Sequence, residues 1–242
     1  MAQNIEIVFA PDLYRFHQRC STVVLIDVAR FTSTLITALA NGAISVEAYH
    51  DEDTPLKLKR EKGYIIAGEF NGEDLEGFDF NNSPISMSEE NVSGKQLAFV
   101  TTNGTYARSI IYDYETILAG AFLNTSALCK RLIEDGKSVA LLCSGRRRKP
   151  CCEDIIFAGK VAENLLNTGN FSYTDDSVAL AIEIYHSAKA DIRSYVLSHA
   201  PSALNHYNNF PAYAKDFDFV FQNDLFDIVP EETDAFKFEI KR

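Results

Sequence analysis

The sequence predicts an α/β protein, in which helices cover both faces of a mixed, partly parallel sheet in a layered α/β/α sandwich. Short β-branched apolar runs typical of buried strands recur along the chain, and several are followed closely by segments with helical spacing of apolar residues. Hydrophobic residues make up 46% of the 242 positions, which is enough for a substantial core. We expect a single domain over residues 1–242.

The first strand and helix show this pattern most clearly. The apolar run 23–28 predicts a strand, and the helical spacing over 31–43 ends at Asn41 and Gly42, a typical helix C-terminus. The same reasoning predicts strands over residues 44–49, 64–67, 96–102, 116–121 and 138–143, and an edge strand over 236–240. It predicts helices over residues 51–62, 103–112, 125–134, 153–166, 177–190 and 192–199, and an ordered loop over 72–90.

The acidic composition limits the partners of the chain. A formal net charge of −11 argues against a general nucleic-acid binder, because such proteins neutralise phosphates with clustered Lys and Arg. No apolar run approaches the roughly 20 residues of a membrane-spanning helix, and the start lacks the pattern of a signal peptide. We therefore expect a cytoplasmic protein with no nucleic-acid or membrane partner. The sequence does not determine the oligomeric state, and a homo-oligomer is one possibility.

Polar residues collect where the first predicted strand meets its helix. Asp27 ends the strand, Arg30 follows three residues later, and the hydroxyls of Thr32, Ser33 and Thr34 begin the helix. Ligands of open α/β sheets bind at such junctions, and free N–H groups at a helix start favour phosphate. An arginine can add bidentate recognition of the same anion. The alternative is a capping Thr32 beside a surface Arg30.

Two further junctions repeat this crowding of hydroxyls and amides. One comprises Thr101, Thr102, Asn103, Gly104 and Thr105, and its alternative interpretation is a capped helix with a glycine turn. The other contains Asn124 before Thr125 and Ser126, a pattern that ordinary helix capping also explains.

The fourth junction combines cations with acids. Gly145 precedes a run of four basic residues that begins with Arg146 and Arg147, and Glu153 and Asp154 follow. The run predicts an anion-facing loop, and the two acids are candidate metal ligands, although acids in a first helical turn also complement the helix dipole. Glu69, at the end of another predicted strand, is a further candidate. Carboxylates gathered from several strand ends would suit Mg²⁺.

Common catalytic signatures do not compete with this interpretation. The chain has no GxxxxGK[ST] or GxGxxG phosphate-binding loop, no GxSxG elbow and no HExxH pair. Its five histidines are interpreted as surface or partly buried residues. The vicinal Cys151 and Cys152 could form a redox switch, but small packing residues are the better interpretation, because adjacent cysteines rarely form a relaxed disulfide.

Together these motifs resemble the 2-phosphosulfolactate phosphatase family of coenzyme M biosynthesis. The segment 27–34 is similar to its DVxRxTST motif, residues 77–84 to its GFDxGNSP loop, and residues 101–105 to its TTNGT motif. Residues 143–145 and 153–159 resemble two further blocks, so the likeness covers nearly the whole chain. The chain departs from the pattern at Asn81, Ser144 and the basic segment 146–149, so the exact substrate stays open.

The resemblance implies Mg²⁺-dependent hydrolysis of a small anionic phosphate ester, 2-phosphosulfolactate, to 3-sulfolactate and phosphate. The implied catalytic residues are Asp27, Arg30, Glu153 and Asp154, and the implied metal ligands are Asp27, Glu69, Glu153 and Asp154. The implied substrate contacts are Thr32, Ser33, Thr34, Asn82, Ser83, Thr101, Thr102, Asn103, Gly104, Thr105, Asn124, Gly145, Arg146 and Arg147. Asp27 could attack phosphorus or orient water. Two alternatives are a phosphatase for another phosphorylated hydroxy acid and a non-catalytic anion-binding regulator.

Overall fold

A computed structural model describes residues 2–70 and 73–241 of the chain, which form an α/β fold. The strands are β1 (Gln3–Val8), β2 (Thr22–Ile26), β3 (Ser45–Tyr49), β4 (Ile65–Phe70), β5 (Glu73–Asp74), β6 (Gln96–Val100), β7 (Thr116–Gly120), β8 (Val139–Cys143), β9 (Phe171–Ser172), β10 (Pro230–Asp234) and β11 (Lys237–Ile240). The helices are α1 (Phe31–Ala40), α2 (Asp53–Lys62), α3 (Glu89–Val92), α4 (Asn103–Ser109), α5 (Thr125–Asp135), α6 (Cys152–Leu166), α7 (Asp176–Ala188), α8 (Ile192–His199), α9 (Pro201–Asn209) and α10 (Pro211–Val220). Three short 3-10 helices span Pro11–Phe16, Pro84–Ser86 and Phe122–Asn124.

The strands form one mixed sheet, in the order β5-β4-β6-β3-β11-β10-β7-β2-β8-β1-β9. One parallel group contains β4, β6 and β3, and a second contains β7, β2, β8, β1 and β9. The antiparallel hairpin of β10 and β11 joins the two groups. The predicted layered α/β architecture with a mixed, partly parallel sheet is thereby confirmed.

Register brings the ends of neighbouring strands together. Ile26 of β2 pairs with Gly120 on one side and Cys143 on the other, so the residues that follow these strands leave the sheet at one edge. In the other group, Gly68 of β4 pairs with Val100 of β6. The two groups run in opposite directions, because three antiparallel pairings separate β3 from β7. Residues that follow β2 and β8 nevertheless line the same cavity as residues at the ends of β4 and β6.

The core lies on both faces of the sheet. Along β2, Val24 and Ile26 point into a cluster with α5, α6 and α7, whereas Val23 and Leu25 point into a cluster with α1. This alternation is the side-chain period of a strand that is buried on both faces. Helix α1 is buried from Phe31 to Leu39, which explains why its sequence contains only apolar residues and hydroxyls.

Some predicted elements differ from the structure. The prediction of an edge strand over residues 236–240 was wrong, because β11 lies between β3 and β10 in the interior of the sheet. The alternation of apolar and charged residues in β11 reflects the burial of Phe238 between less buried neighbours. Such alternation can occur in an interior strand as well as in an edge strand. The predicted loop 72–90 contains β5, a 3-10 turn and the first two residues of α3, and its first residue, Gly72, lies outside the described residues. Among the described helices, none has the length and apolar character needed to cross a bilayer.

Candidate active site

A cavity of about 610 Å³ opens where the carboxyl ends of β2, β4, β6 and β8 converge. It is lined by eleven residues that the sequence predicted for the site: Asp27, Arg30, Glu69, Asn82, Thr102, Asn103, Gly145, Arg146, Arg147, Glu153 and Asp154. Among the described residues, seven others also line it: Ala29, Asn81, Cys151, His206, Phe210, Ala212 and Tyr213. The structure therefore gathers acids, cations and amides from distant segments around one space.

Asp27 is held at the end of β2 by the start of α1. The N–H of Phe31 donates to its carboxylate at 3.3 Å, and its own N–H donates to the Thr32 hydroxyl at 3.1 Å. The residue is 7% exposed. Burial raises the pKa of Asp27 from 3.8 to about 7; the Phe31 N–H opposes this increase, and the charges of Glu153 and Glu69 add to it. Asp27 can therefore gain or lose a proton near neutral pH.

Glu153 and Asp154 begin α6 and differ in what they contact. Asp154 accepts from the N–H of Val28 and the N–H of Gly145, each at 2.9 Å, and so joins the turn after β2 to the loop after β8. Glu153 lines the cavity, and burial raises its pKa, with Arg146 acting in the opposite direction. Burial also raises the pKa of Asp154, and the nearby carboxylates add to the effect. Asp154 is thus well placed to hold the two loops in register.

The first parallel group contributes a carboxylate and two polar residues. Glu69 accepts from the N–H of Thr102 at 3.3 Å, which ties the end of β4 to the start of α4. The side chain of Asn103 accepts from the N–H of Arg147 at 3.0 Å. This bond anchors the basic loop across the junction between the two groups. Arg147 has a φ of 49°, a left-handed conformation that is uncommon for a residue with a side chain.

Two arginines of the cavity wall are held by partners from the C-terminal helices. Arg30 donates to Asp216 at 2.7 Å, and its guanidinium lies 5.5 Å from the centre of the Tyr213 ring. The Arg146 guanidinium lies 2.6 Å from Nε2 of His206. Burial lowers the pKa of His206, and the neighbouring arginines lower it further, so the imidazole is neutral and accepts this bond.

Eight predicted substrate contacts lie behind the cavity wall: Thr32, Ser33, Thr34, Ser83, Thr101, Gly104, Thr105 and Asn124. The hydroxyls at the start of α1 bond to main-chain carbonyls. Ser33 donates to Val28, while the Thr34 hydroxyl lies 2.9 Å from the carbonyls of Arg30 and Asn82. The Thr32 hydroxyl lies 2.9 Å from two further carbonyls. These hydroxyls therefore stabilise the turn that presents Arg30, through bonds to main-chain carbonyls.

The remaining residues behind the wall also have local roles. Thr105 donates to the carbonyl of Thr101. Gly104 lies against Phe31, where an added Cβ would stand 2.3 Å from the ring. The fully buried Asn124 accepts from the N–H of Ala121 and donates to two carbonyls, so it holds the turn after β7. Ser83 donates to the buried carboxylate of Asp216.

Sequence reasoning missed the wall that α9 and α10 supply. His206, Phe210, Ala212 and Tyr213 carry no recognisable motif, and only the fold brings them opposite Asp27. Three other missed residues, Ala29, Asn81 and Cys151, are close in sequence to predicted ones, so adjacency could have found them. Cys151 is half-buried, and burial raises the pKa of its thiol, which disfavours the reactive thiolate.

The donor set suits a hard cation better than a soft one. Within the described residues, no three His, Cys, Asp or Glu side chains are arranged to hold a metal ion by themselves. Mg²⁺ does not need such a cage, because it commonly takes one or two carboxylates and completes its shell with water and phosphate. Asp27 and Glu153 bring two carboxylates to the lining of the cavity, and carboxylate oxygens are ligands that Mg²⁺ takes. These residues fit a magnesium ion.

Comparison with known proteins identifies the family of the chain. The family described as 2-phosphosulpholactate phosphatase matches residues 8–235. A Thermotoga petrophila protein named "Probable 2-phosphosulfolactate phosphatase" is 36% identical over 211 residues, which cover 87% of this chain and 88% of that protein. A Clostridium novyi protein of the same name is 31% identical over 227 residues, covering 93% and 94%. The matched region includes every residue that lines the cavity. The chain therefore belongs to the 2-phosphosulfolactate phosphatase family.

Proposed function

We propose that the chain hydrolyses 2-phosphosulfolactate to 3-sulfolactate and phosphate, with Mg²⁺ as cofactor. The observation that carries this proposal is a cavity in which buried carboxylates face arginines. Such a substrate bears a phosphate and two further acidic groups, so it needs several cations for recognition. Phosphoryl transfer also requires positive charge near the equatorial oxygens. Coenzyme M biosynthesis and a cytoplasmic location stay predictions.

Arg30 is the residue best placed to bind the phosphoryl group. It lies next to Asp27 across a short turn, and its guanidinium reaches the cavity while one nitrogen donates to Asp216. The remaining N–H groups can form two parallel bonds to phosphate oxygens. Because Arg30 is held before substrate arrives, little reorganisation is needed when charge shifts toward the leaving oxygen.

Asp27 and Glu153, which both line the cavity, would hold the magnesium ion. Their mutual repulsion and burial favour protonation, and a cation would favour the ionised forms. When bound, the ion would supply positive charge to the phosphoryl oxygens. The charged environment is thus consistent with a cation in the working protein.

Asp27 is the group best suited to act either as the general base or as the nucleophile. Hydrolysis joins a water oxygen to phosphorus, breaks the ester P–O bond and delivers a proton to the departing hydroxyl. In its ionised form, Asp27 can accept a proton from water. The same carboxylate can instead attack phosphorus, in which case an acyl phosphate forms and water cleaves it. Rapid-quench trapping distinguishes the routes, because only the second one leaves phosphate on Asp27.

Arg146 and Arg147 are proposed to bind the carboxylate or sulfonate of the substrate. Arg146 is oriented by the neutral His206, and Arg147 by its main-chain bond to Asn103. Both line the cavity, and both belong to the loop after β8. A basic loop that is fixed at two points can discriminate between phosphate esters by their second acidic group.

The first experiment measures phosphate release from a panel of phosphomonoesters, with Mg²⁺ and with EDTA. The panel contains 2-phosphosulfolactate, 2-phospholactate, which lacks the sulfonate, and other phosphorylated hydroxy acids. We expect 2-phosphosulfolactate to have the highest kcat/KM and EDTA to abolish its turnover. Arg146→Met should reduce kcat/KM more for 2-phosphosulfolactate than for 2-phospholactate. The matched control is Arg60→Met, because Arg60 is exposed on α2. This variant should leave kcat/KM unchanged for both substrates.

Each alternative gives a different result in the same assay. Preference for another ester would replace 2-phosphosulfolactate as the substrate while preserving the phosphatase assignment. Tight binding of phosphate without release from any ester would support a regulator instead. Full activity in EDTA after removal of bound metal would refute the role of Mg²⁺.

A further inference from the structure

The carboxylate of Asp216, on α10, lies against the proposed phosphate-binding arginine although it is 186 positions away in the sequence. Asp216 is 1% exposed, and it has no separate access to solvent that would explain a surface role. One of its oxygens accepts from Arg30 at 2.7 Å, and the other accepts from the hydroxyl of Ser83. One oxygen is therefore bound to a residue that lines the cavity, and the other to a residue next to the lining residue Asn82.

The contacts of Asp216 join three parts of the site. Arg30 belongs to the turn after β2, Ser83 follows the cavity residue Asn82, and Asp216 belongs to α10. One helical turn before Asp216, the ring of Tyr213 lies 5.5 Å from the guanidinium of Arg30. Helix α10 thus contacts the edge of the Arg30 guanidinium through Asp216 and its face through Tyr213.

The geometry points to Asp216 as a positioning residue, which orients the Arg30 guanidinium toward the phosphoryl group and keeps it in place between turnovers. A flexible arginine would lose side-chain freedom each time it bound phosphate. The buried carboxylate removes that loss beforehand, because it fixes one edge of the guanidinium and leaves other N–H groups for the ligand. This inference rests on the proposed phosphate site and adds a residue to it that does not line the cavity.

The test measures the affinity of the full-length protein for inorganic phosphate in the presence of Mg²⁺ by titration calorimetry. Asp216→Asn keeps the size of the side chain but removes the charge that fixes Arg30. We expect phosphate affinity to fall by about tenfold and kcat/KM by about tenfold to a hundredfold. Asp218→Asn is the matched control, because Asp218 lies on the same helix and pairs with Arg193 at the surface.

A double-mutant cycle of Asp216 and Arg30 distinguishes a positioning role of Asp216 from a purely structural one. In protein that circular dichroism shows to be folded, Asp216→Asn should have little further effect on phosphate affinity once Arg30 is replaced by Met. Equal phosphate affinity in wild type and folded Asp216→Asn would overturn the inference, and so would additive effects in the cycle. If Asp216→Asn does not fold, Asp216→Glu replaces it, because this variant keeps the charge and displaces it by one methylene. Wild-type affinity in that variant would equally overturn the inference.

The outcome is distinguishable from failure of the proposed function. Wild-type protein that binds phosphate but releases none from any ester would refute hydrolysis, while the cycle would still decide the role of Asp216. Wild-type protein that binds no phosphate would overturn the inference as well.

Discussion

Replacing Asp27 with Asn should stabilise the metal-free protein and abolish its turnover. Burial is the main reason, since it raises the pKa of Asp27 from 3.8 to about 7. One pKa unit corresponds to about 1.4 kcal/mol, so an ionised Asp27 destabilises the folded protein by up to about 4 kcal/mol above neutral pH. Asn has nearly the same shape, carries no charge and can still accept from the N–H of Phe31.

The effect of this substitution should depend on pH in a defined direction. Folded Asp27 holds its proton to higher pH than the unfolded chain, so its contribution to stability is lost as pH rises from about 4 to about 7. The Asn variant does not undergo this loss. The difference in unfolding free energy should therefore be smallest near pH 4 and largest above pH 7.

Urea unfolding in EDTA, followed by circular dichroism across this pH range, measures the difference directly. The exposed Asp227 provides the control, because Asp227→Asn should change stability little at any pH. Added Mg²⁺ should stabilise wild type by mass action and stabilise Asp27→Asn less. A variant that is no more stable than wild type at pH 8, or a difference that does not vary with pH, would refute the reasoning.

Three further substitutions test the roles that the structure assigns. Asn124→Ala should lower the unfolding free energy by about 2–3 kcal/mol in urea, because three buried hydrogen bonds are lost, with kcat per folded molecule unchanged. Gly104→Ala should lower it by about 1–3 kcal/mol, since its Cβ would stand 2.3 Å from the Phe31 ring; thermal unfolding measures this, and an unchanged Tm would contradict the packing. His206→Ala should raise KM for 2-phosphosulfolactate about fivefold with kcat nearly constant in steady-state assays, because Arg146 loses its acceptor; an unchanged KM would remove His206 from substrate binding.

Local sequence was sufficient for most strand and helix units of the fold. The apolar run that forms β2 and the helical spacing of α1 depend on side-chain period, which each segment carries by itself. The end of α5 was also accessible from local sequence, because Gly136 follows the helix in a left-handed conformation that favours glycine. Residues next to such ends, including Asp27 and Glu153, were therefore accessible to sequence reasoning as candidates.

Sheet order depended on contacts that no segment encodes alone. The strand β11 has the alternation of an edge strand, yet it lies in the interior because β10 and β3 pair with its two sides. The hydroxyls at the start of α1 look like phosphate ligands in sequence, but main-chain carbonyls from neighbouring turns bind them. Which partner a polar group finds is decided by residues far away along the chain.

The sequence by itself determined the family, the alternation of strands and helices, and a set of acids and cations at the strand ends. Tertiary structure decided which of them share the cavity, and it supplied the wall formed by α9 and α10. Asp216 illustrates the difference, because an isolated aspartate in a helix has no local signal of function. Its role depends on long-range packing, which places a buried carboxylate beside an arginine from the other end of the chain.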